Sequence, residues 1–289
     1  MSVKNTIITR IDEPFVKMHG CGNDFVILDA RGRGFTLSPD IIKAMADRRT
    51  GIGCDQLLVI EPSKKADAFM RIYNADGTKA EQCGNGTRCI AALLMGEQNN
   101  ERVKIETLAG VLDCHKVPAG VAINMGQPSL KWQDVPLSEE RDTLHLGLNM
   151  GALRDPCALS VGNPHVVYFV DKADEIDLAR LGPKIETYFL FPERVNVSVA
   201  QVLSDNEIRL RVWERGTGIT RACGTAACAT LVAAFERKLT GRKAVINMDG
   251  GKLHVEWQDN GDMILSGAIE KSFDGTLELP AAAIREDVA

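Results

Sequence analysis

The chain repeats itself at a fixed offset in its numbering. Position 223 less position 83 is 140, and the same difference separates Glu214 from Asn74, Asn163 from Asn23 and Asn196 from Gln56. An offset that holds at four separate places in a 289-residue chain implies duplication of one unit of about half its length. Two related halves are then expected, 1–130 and 131–270, with the C-terminal segment 271–289 free to return to the first. A chain of this size suits two domains better than one core.

The local pattern repeats as well. "AFMRIYN" (Ala68 to Asn74) and "EIRLRVWE" (Glu207 to Glu214) alternate apolar and polar residues at period two, as half-buried strands do. Each leads through a turn-rich loop, "ADGTKAEQ" or "RGTGITRA", into a cysteine and then an alanine- and leucine-rich run that favours helix. Gly96 and Gly241 are the expected helix stops. An earlier helix is signalled by Ser38 as N-cap, Pro39 at the first helical position and Gly51 just past "IIKAMADRRT". Many short strands with two or three helices per half predict an α/β fold, each half a mixed, mostly antiparallel sheet wrapped on a helix. No GxGxxG opens a βαβ unit, which weighs against a dinucleotide enzyme.

Net charge is −5, so no basic stripe awaits a phosphate backbone, and a small-molecule substrate is expected rather than nucleic acid. The opening "MSVKNTIITRIDEPFVK" lacks the apolar core of an export signal, and no run of about 18 apolar residues marks a membrane helix. A cytosolic location follows as the expectation. There the eight cysteines (21, 54, 83, 89, 114, 157, 223 and 228) read as buried residues or reactive thiols rather than bridges. Cys89 and Cys228 fall within the helical runs and read as core. Their spacing from Cys83 and Cys223 is wrong for a zinc site, so no metal is expected.

A cysteine opening a helix sits beside unsatisfied N–H groups at the positive end of the helix dipole, which favours thiolate and lowers the pKa from roughly 8.5 toward neutrality. The same amides, at Gly84 and Asn85 and again at Gly224 and Thr225, can bind a carboxylate. Two such loops meeting at a pseudo-twofold axis would place two thiols around one cleft. One could remove a proton from a carbon while the other returns it from the opposite face. That is racemisation or epimerisation with no electron-sink cofactor. A single cysteine before an alanine-rich helix is ordinarily just a small buried residue; its repetition with strand, loop and helix favours function.

The stretches "KMHGCGNDFVILD", "GIGCDQLL", "NADGTKAEQCGNGTRC", "VGNPHVV", "RVNV" and "WERGTGITRACGTAACA" together resemble the diaminopimelate epimerase family over nearly the whole chain. The resemblance implies two similar α/β halves, each a sheet around a central helix, with the active site in a cleft between them. It implies a cofactor-free isomerase that interconverts LL- and meso-diaminopimelate for lysine and peptidoglycan synthesis. Cys83 and Cys223 would be the acid-base pair, with His165 and Glu214 supporting catalysis. Asn23, Gln56, Asn74, Asn163, Asn196 and Arg215 would line the substrate site, with the Glu214 carboxylate near a substrate ammonium. The backbone at Gly84, Asn85, Gly224 and Thr225 would hold the carboxylate of the reacting centre.

Taken singly these residues have plainer readings. Asparagine in "GN" or "YN" is ordinarily a turn residue, Glu214 beside Arg215 could be a solvated ion pair, and His165 a satisfied core histidine. The resemblance also implies a homodimer, although Phe273 in "KSFDGTL" stands where many members carry tyrosine, keeping the apolar area without the hydroxyl. The nearest rival is a proline or hydroxyproline racemase on the same scaffold. A thiol redox or metal-binding protein is disfavoured by the lack of CxxC, and a binding protein that has lost catalysis by the retention of both cysteines.

Overall fold

The computed structural model describes residues 10–285. Most of the opening stretch read for an export signal, and the last four residues of 271–289, lie outside the described residues. The chain divides into two compact units, one running to His115 and resuming at Ile269, the other spanning Lys116–Ala268.

The first unit contains β1 (Arg10–Gly20), β2 (Asn23–Asp29), β3 (Gly34–Phe35), α1 (Pro39–Ala46), β4 (Gln56–Glu61), β5 (Ala68–Asn74), β6 (Lys79–Ala80), α2 (Gly84–Gln98), β7 (Arg102–Thr107) and β8 (Gly110–Val117), whose last two residues lie past the division. The second contains β9 (Gly120–Asn124), β10 (Cys157–Ser160), β11 (Pro164–Phe169), α3 (Leu178–Glu186), β12 (Asn196–Ser204), β13 (Glu207–Glu214), β14 (Gly218–Thr220), α4 (Gly224–Glu236), β15 (Lys243–Met248), β16 (Gly251–Trp257) and β17 (Met263–Gly267). Then β18 (Glu270–Pro280) and β19 (Ile284–Arg285) rejoin the first unit. The second unit starts before the expected boundary at 130 because β9 pairs antiparallel with β17.

In the first unit the strands run β18–β1–β2–β4–β5–β7–β8, with β6 also on β5, and β19 pairs with β3 apart from this sheet. The β2–β4 and β5–β7 pairs are parallel, each bridged by a helix, and the others antiparallel. The second unit runs β10–β11–β12–β13–β15–β16–β17–β9, again with two parallel pairs, β11–β12 and β13–β15. Both sheets are therefore mixed and mostly antiparallel, as the residue pattern predicts.

The duplication extends to individual ladder partners. Phe25 faces Gln56 and His165 faces Asn196; Leu57 faces Tyr73 and Val197 faces Trp213; Ile72 faces Ala80 and Val212 faces Thr220. Every one of these matches preserves the repeat offset. Because a slip of one residue would turn each side chain to the other face of its sheet, the two units must present corresponding residues on corresponding faces.

Each sheet has helices on both faces. Val26 and Leu28 of β2 and Leu57 and Val59 of β4 pack with Ile42 and Met45 of α1, while Leu58, pointing the other way, lies against Gly86 of α2. In the second unit Val166, Tyr168, Val197 and Val199 pack with Leu178, Leu181 and Ile185 of α3. Consecutive buried residues in β2 and β4 follow from this two-sided cover. Every residue of α4 from Ala226 to Ala234 is buried, so this helix is apolar all round, as a helix enclosed by its sheet must be.

Ser38 caps α1, its hydroxyl accepting from the Ile41 N–H at 3.3 Å. The three expected helix stops differ from the structure. Helix α1 ends at Ala46, where the Asp47 carboxylate accepts from the Arg49 and Thr50 N–H groups and closes the turn before Gly51. Helix α2 passes through Gly96, which has open space beside it, and ends at Asn99 in the left-handed region. Helix α4 stops at Glu236, ahead of Gly241, and Lys238 takes the left-handed conformation. No helix among the described residues is long and apolar enough to cross a membrane.

Candidate active site

Cys83 and Cys223 are the N-caps of α2 and α4, both extended, at φ/ψ −148°/105° and −141°/115°. The extended cap leaves the first amides of each helix, at Gly84 and Asn85 and at Gly224 and Thr225, without intrahelical acceptors. The sulfur of Cys83 accepts from the Gly86 N–H at 3.4 Å, close enough that a side chain at residue 86 would press on Leu58. A Cβ on Gly224 would lie 2.7 Å from Leu265, so glycine there lets α4 begin against β17.

In the first unit the hairpin between β1 and β2 turns through Cys21 and Gly22, both with positive φ, 54° and 75°. This two-residue turn delivers Asn23 to the first position of β2. The Cys83 thiol donates to Asn23 Oδ1 at 3.8 Å, and Asn85 Nδ2 donates to the same oxygen at 3.3 Å. Asn23, Cys83 and Asn85 thus form one group. Gln56 and Asn74 face each other across β4 and β5, Gln56 Nε2 donating to Asn74 Oδ1 at 2.9 Å and Asn74 Nδ2 to Thr78 Oγ1 at 3.0 Å. Gln56 Oε1 is buried without a hydrogen-bond partner among the described residues.

In the second unit a hydrogen-bonded line runs to Cys223. His165 Nε2 lies 2.9 Å from Asn163 Oδ1, Asn163 Nδ2 donates to Thr225 Oγ1 at 3.4 Å, and Thr225 Oγ1 lies 3.4 Å from Cys223 Sγ. Burial, reinforced by the Arg215 charge, pulls the His165 pKa down to about 3. The imidazole is therefore neutral, with Nε2–H donating to Asn163. On its other side Cys223 shares a hydrogen bond with Glu214, which also accepts from Thr220 Oγ1.

Burial raises the Cys223 thiol well above its ordinary value, and the Glu214 carboxylate pushes it further. Desolvation and a neighbouring anion thus act on that thiol against the lowering expected of a helix N-terminus. Burial also raises Glu214, against the hydrogen bonds from Thr220 and Cys223.

Asn196 is nearly buried, and its amide braces the chain: Nδ2 donates to the Pro164 carbonyl and Oδ1 accepts from the Arg215 N–H, each at 2.9 Å. Arg215 Nη1 donates to the Glu193 carbonyl at 3.1 Å. Sequence reading missed the Thr225 and Thr220 hydroxyls, visible only once the loops are folded. It missed Glu186, whose carboxylate accepts from Trp213 Nε1 at 2.7 Å and the Gly216 N–H at 2.8 Å and so pins both sides of Glu214–Arg215. It also gave Cys21 no role, though the residue lies 3.8 Å from Arg88 beside the Cys83 group. Among the described residues no cluster of three or more His, Cys, Asp and Glu is arranged to hold a metal ion.

The diaminopimelate epimerase family model matches residues 15–131 and 157–271, one segment for each copy of the repeat. A diaminopimelate epimerase of Rhodospirillum centenum is 49% identical over 266 residues, 91% of this chain and 91% of its own. One from Acidiphilium cryptum is 49% identical over 92% of this chain and 96% of its own. Among solved structures, a hydroxyproline epimerase from Agrobacterium vitis superposes with a TM-score of 0.64 at 16% identity, covering 93% of this chain and 92% of its own. A phenazine biosynthesis protein of the PhzF family from Bacillus anthracis gives 0.66 at 17%, covering 92% and 99%. The distant structures share the fold of two pseudo-symmetric halves and nothing finer. With the family model matched in both copies and near-half identity over nine-tenths of the chain, the protein belongs to the diaminopimelate epimerase family.

Proposed function

We propose that the protein interconverts LL- and meso-2,6-diaminopimelate by a cofactor-independent two-base mechanism, supplying lysine and peptidoglycan synthesis in the cytoplasm. The observation that carries this reading is the pair of N-cap cysteines at corresponding positions of the repeat, each with its own pair of helix amides. One thiolate removes the α-proton and the other thiol delivers a proton to the opposite face, so each turnover leaves the protonation states exchanged. Gly84 and Asn85, with Gly224 and Thr225, hold the carboxylate of the reacting centre through their amides, stabilising the negative charge that grows on it.

Glu214 serves catalysis at Cys223 and attracts a substrate ammonium, and neutral His165 supports Cys223 by orienting Asn163. Asn23, Gln56, Asn74, Asn163, Asn196 and Arg215 recognise the substrate, Asn196 by fixing the Arg215 turn. The second, unreacting amino-acid end needs several fixed amides and a charged pair, since a site built to hydrogen-bond such groups rejects substrates that lack them. The unpaired Gln56 Oε1 supports this assignment. The two compact units correspond to the two copies of the repeat.

A homodimer is the proposed assembly. In its favour, β18, paired with β1, carries Phe273, 49% exposed, edge-on to Phe15 at 6.0 Å between ring centres. Protein kept reduced, without pyridoxal phosphate, is expected to exchange the α-hydrogen of diaminopimelate with solvent deuterium. Exchange into proline but into neither diaminopimelate stereoisomer would replace this reading with the proline-racemase one.

A further inference from the structure

Behind Cys83 runs a line of side-chain amides with a charge at each end. Arg88, fully buried in α2, donates from Nη2 to Asn85 Oδ1 at 2.7 Å. Asn85 Nδ2 donates to Asn23 Oδ1 at 3.3 Å, and Asn23 Nδ2 donates to Asp55 Oδ2 at 3.0 Å. The ends fix the direction of the whole line, because a guanidinium can only donate and an ionised carboxylate can only accept. Asn23 must then turn its oxygen, not its NH₂, toward the Cys83 sulfur 3.8 Å away.

We propose that Asp55 is a positioning residue that, with Arg88 at the far end, locks the Asn23 amide so that its oxygen accepts from the Cys83 thiol. This rests on the reading of Cys83 as an acid-base group. An acceptor at that place favours S–H, whereas the Gly86 N–H on the sulfur favours the thiolate. Asp55 is the stronger anchor. Its bond to Asn23 is charge-assisted and shorter than the one from Asn85. The Asp55 carboxylate is itself held by Arg48 Nη2 at 2.7 Å and the Asp24 N–H at 3.1 Å. The device belongs to one copy alone, since the positions that answer to Asp55 and Arg88 in the other are Val195 and Cys228.

The titratable and charged groups around the sulfur include Arg88 and Cys89 from α2, Cys21 from the β1–β2 turn and, one amide further out, Asp55 with Asp24 and Arg48. Cys89 is buried, which pushes its thiol up to about 12 and keeps it from competing below that range.

The test is the pH dependence of Cys83 alkylation by iodoacetamide, followed on its own peptide by mass spectrometry, in the full-length protein and in Asp55→Ala. The Asp55 side chain is 43% exposed, so the variant should fold; Asp55→Ser, too short to reach Asn23, repeats the test in a second background. With the Asp55 bond gone, only the longer 3.3 Å bond from Asn85 still opposes a turn of Nδ2 toward the sulfur, and alkylation below the midpoint is expected to quicken about threefold, as half a pKa unit requires. Loss of a nearby anion would act in the same direction but is screened by salt. A quickening that persists in about 0.5 M KCl therefore supports the proposal. No change, a slowing, or an effect that salt abolishes overturns it. Alkylation needs no turnover, so it fails independently of Cys83→Ala, which tests the catalytic reading itself.

Discussion

His165 has a counterpart in the other copy, Phe25, which occupies the same ladder position one repeat earlier and is fully buried. The substitution His165→Phe therefore asks what the imidazole adds to a site that already tolerates a ring. Burial holds the folded pKa at about 3, against an unfolded value near 6.5. Since the folded value is the lower one, the unfolded chain binds the extra proton, and stability is lost as pH falls from about 6.5 toward 3. By pH 4.5 that one group removes about 2 to 3 kcal/mol relative to pH 7.5. Phenylalanine has no such term. At pH 7.5 the variant loses the bond to Asn163 Oδ1 but is also rid of Nδ1, buried without a partner, so two changes of about 1 kcal/mol each oppose one another. Urea unfolding should give similar stabilities at pH 7.5 and a more stable variant at pH 4.5, alongside a fall in kcat as Asn163 loses its orientation. A stability difference that stays constant between the two pH values would mean that the folded imidazole titrates normally, and the account of a neutral, oriented His165 would fail.

Other outcomes follow from the same geometry. Cys83→Ala and Cys223→Ala should each abolish epimerisation measured by circular dichroism of the product mixture; full turnover in either would end the two-base reading. Gly182→Ala, ordinarily worth up to about 1 kcal/mol of helix stability, should here destabilise by about 1–3 kcal/mol in urea unfolding. A Cβ at residue 182 would lie 2.6 Å from the Trp213 ring, and that ring cannot retreat without breaking its bond to Glu186. A stabilised variant would show that the indole moves freely.

Several features of the fold were legible because they are local chemistry. Ser38 before Pro39 makes a helix start wherever the chain goes, and a cysteine ahead of glycine and small residues can cap α2 or α4 without reference to distant contacts. Helix ends were not legible, because glycine permits a stop but does not impose one. Gly51 shows the difference: a Cβ there would lie 2.0 Å from the Ala44 carbonyl, so the glycine serves a close backbone approach rather than a helix stop.

The site divides along a different line. Asn23 with Asn163, and Cys83 with Cys223, could be found because both copies keep the same residue type, and Asn74 with Glu214 because the register alone marks the position. Arg88, Asp55 and Glu186 carry no such mark, and the offset marks Thr225 only for its backbone amide, not for its hydroxyl. A repeat reveals what the two copies share, yet two identical thiols in identical surroundings would titrate alike, and a two-base reaction needs one to be protonated when the other is not. The surroundings must therefore differ where the sequences differ. Position 88 is a buried cation in one copy and Cys228 in the other; position 74 is an amide whose partner, Glu214, is a carboxyl bonded to Cys223; Phe25 answers to a neutral histidine. The frame that brings like groups to like positions and the substitutions that make them unlike are separate inheritances, and only the first can be read from the offset.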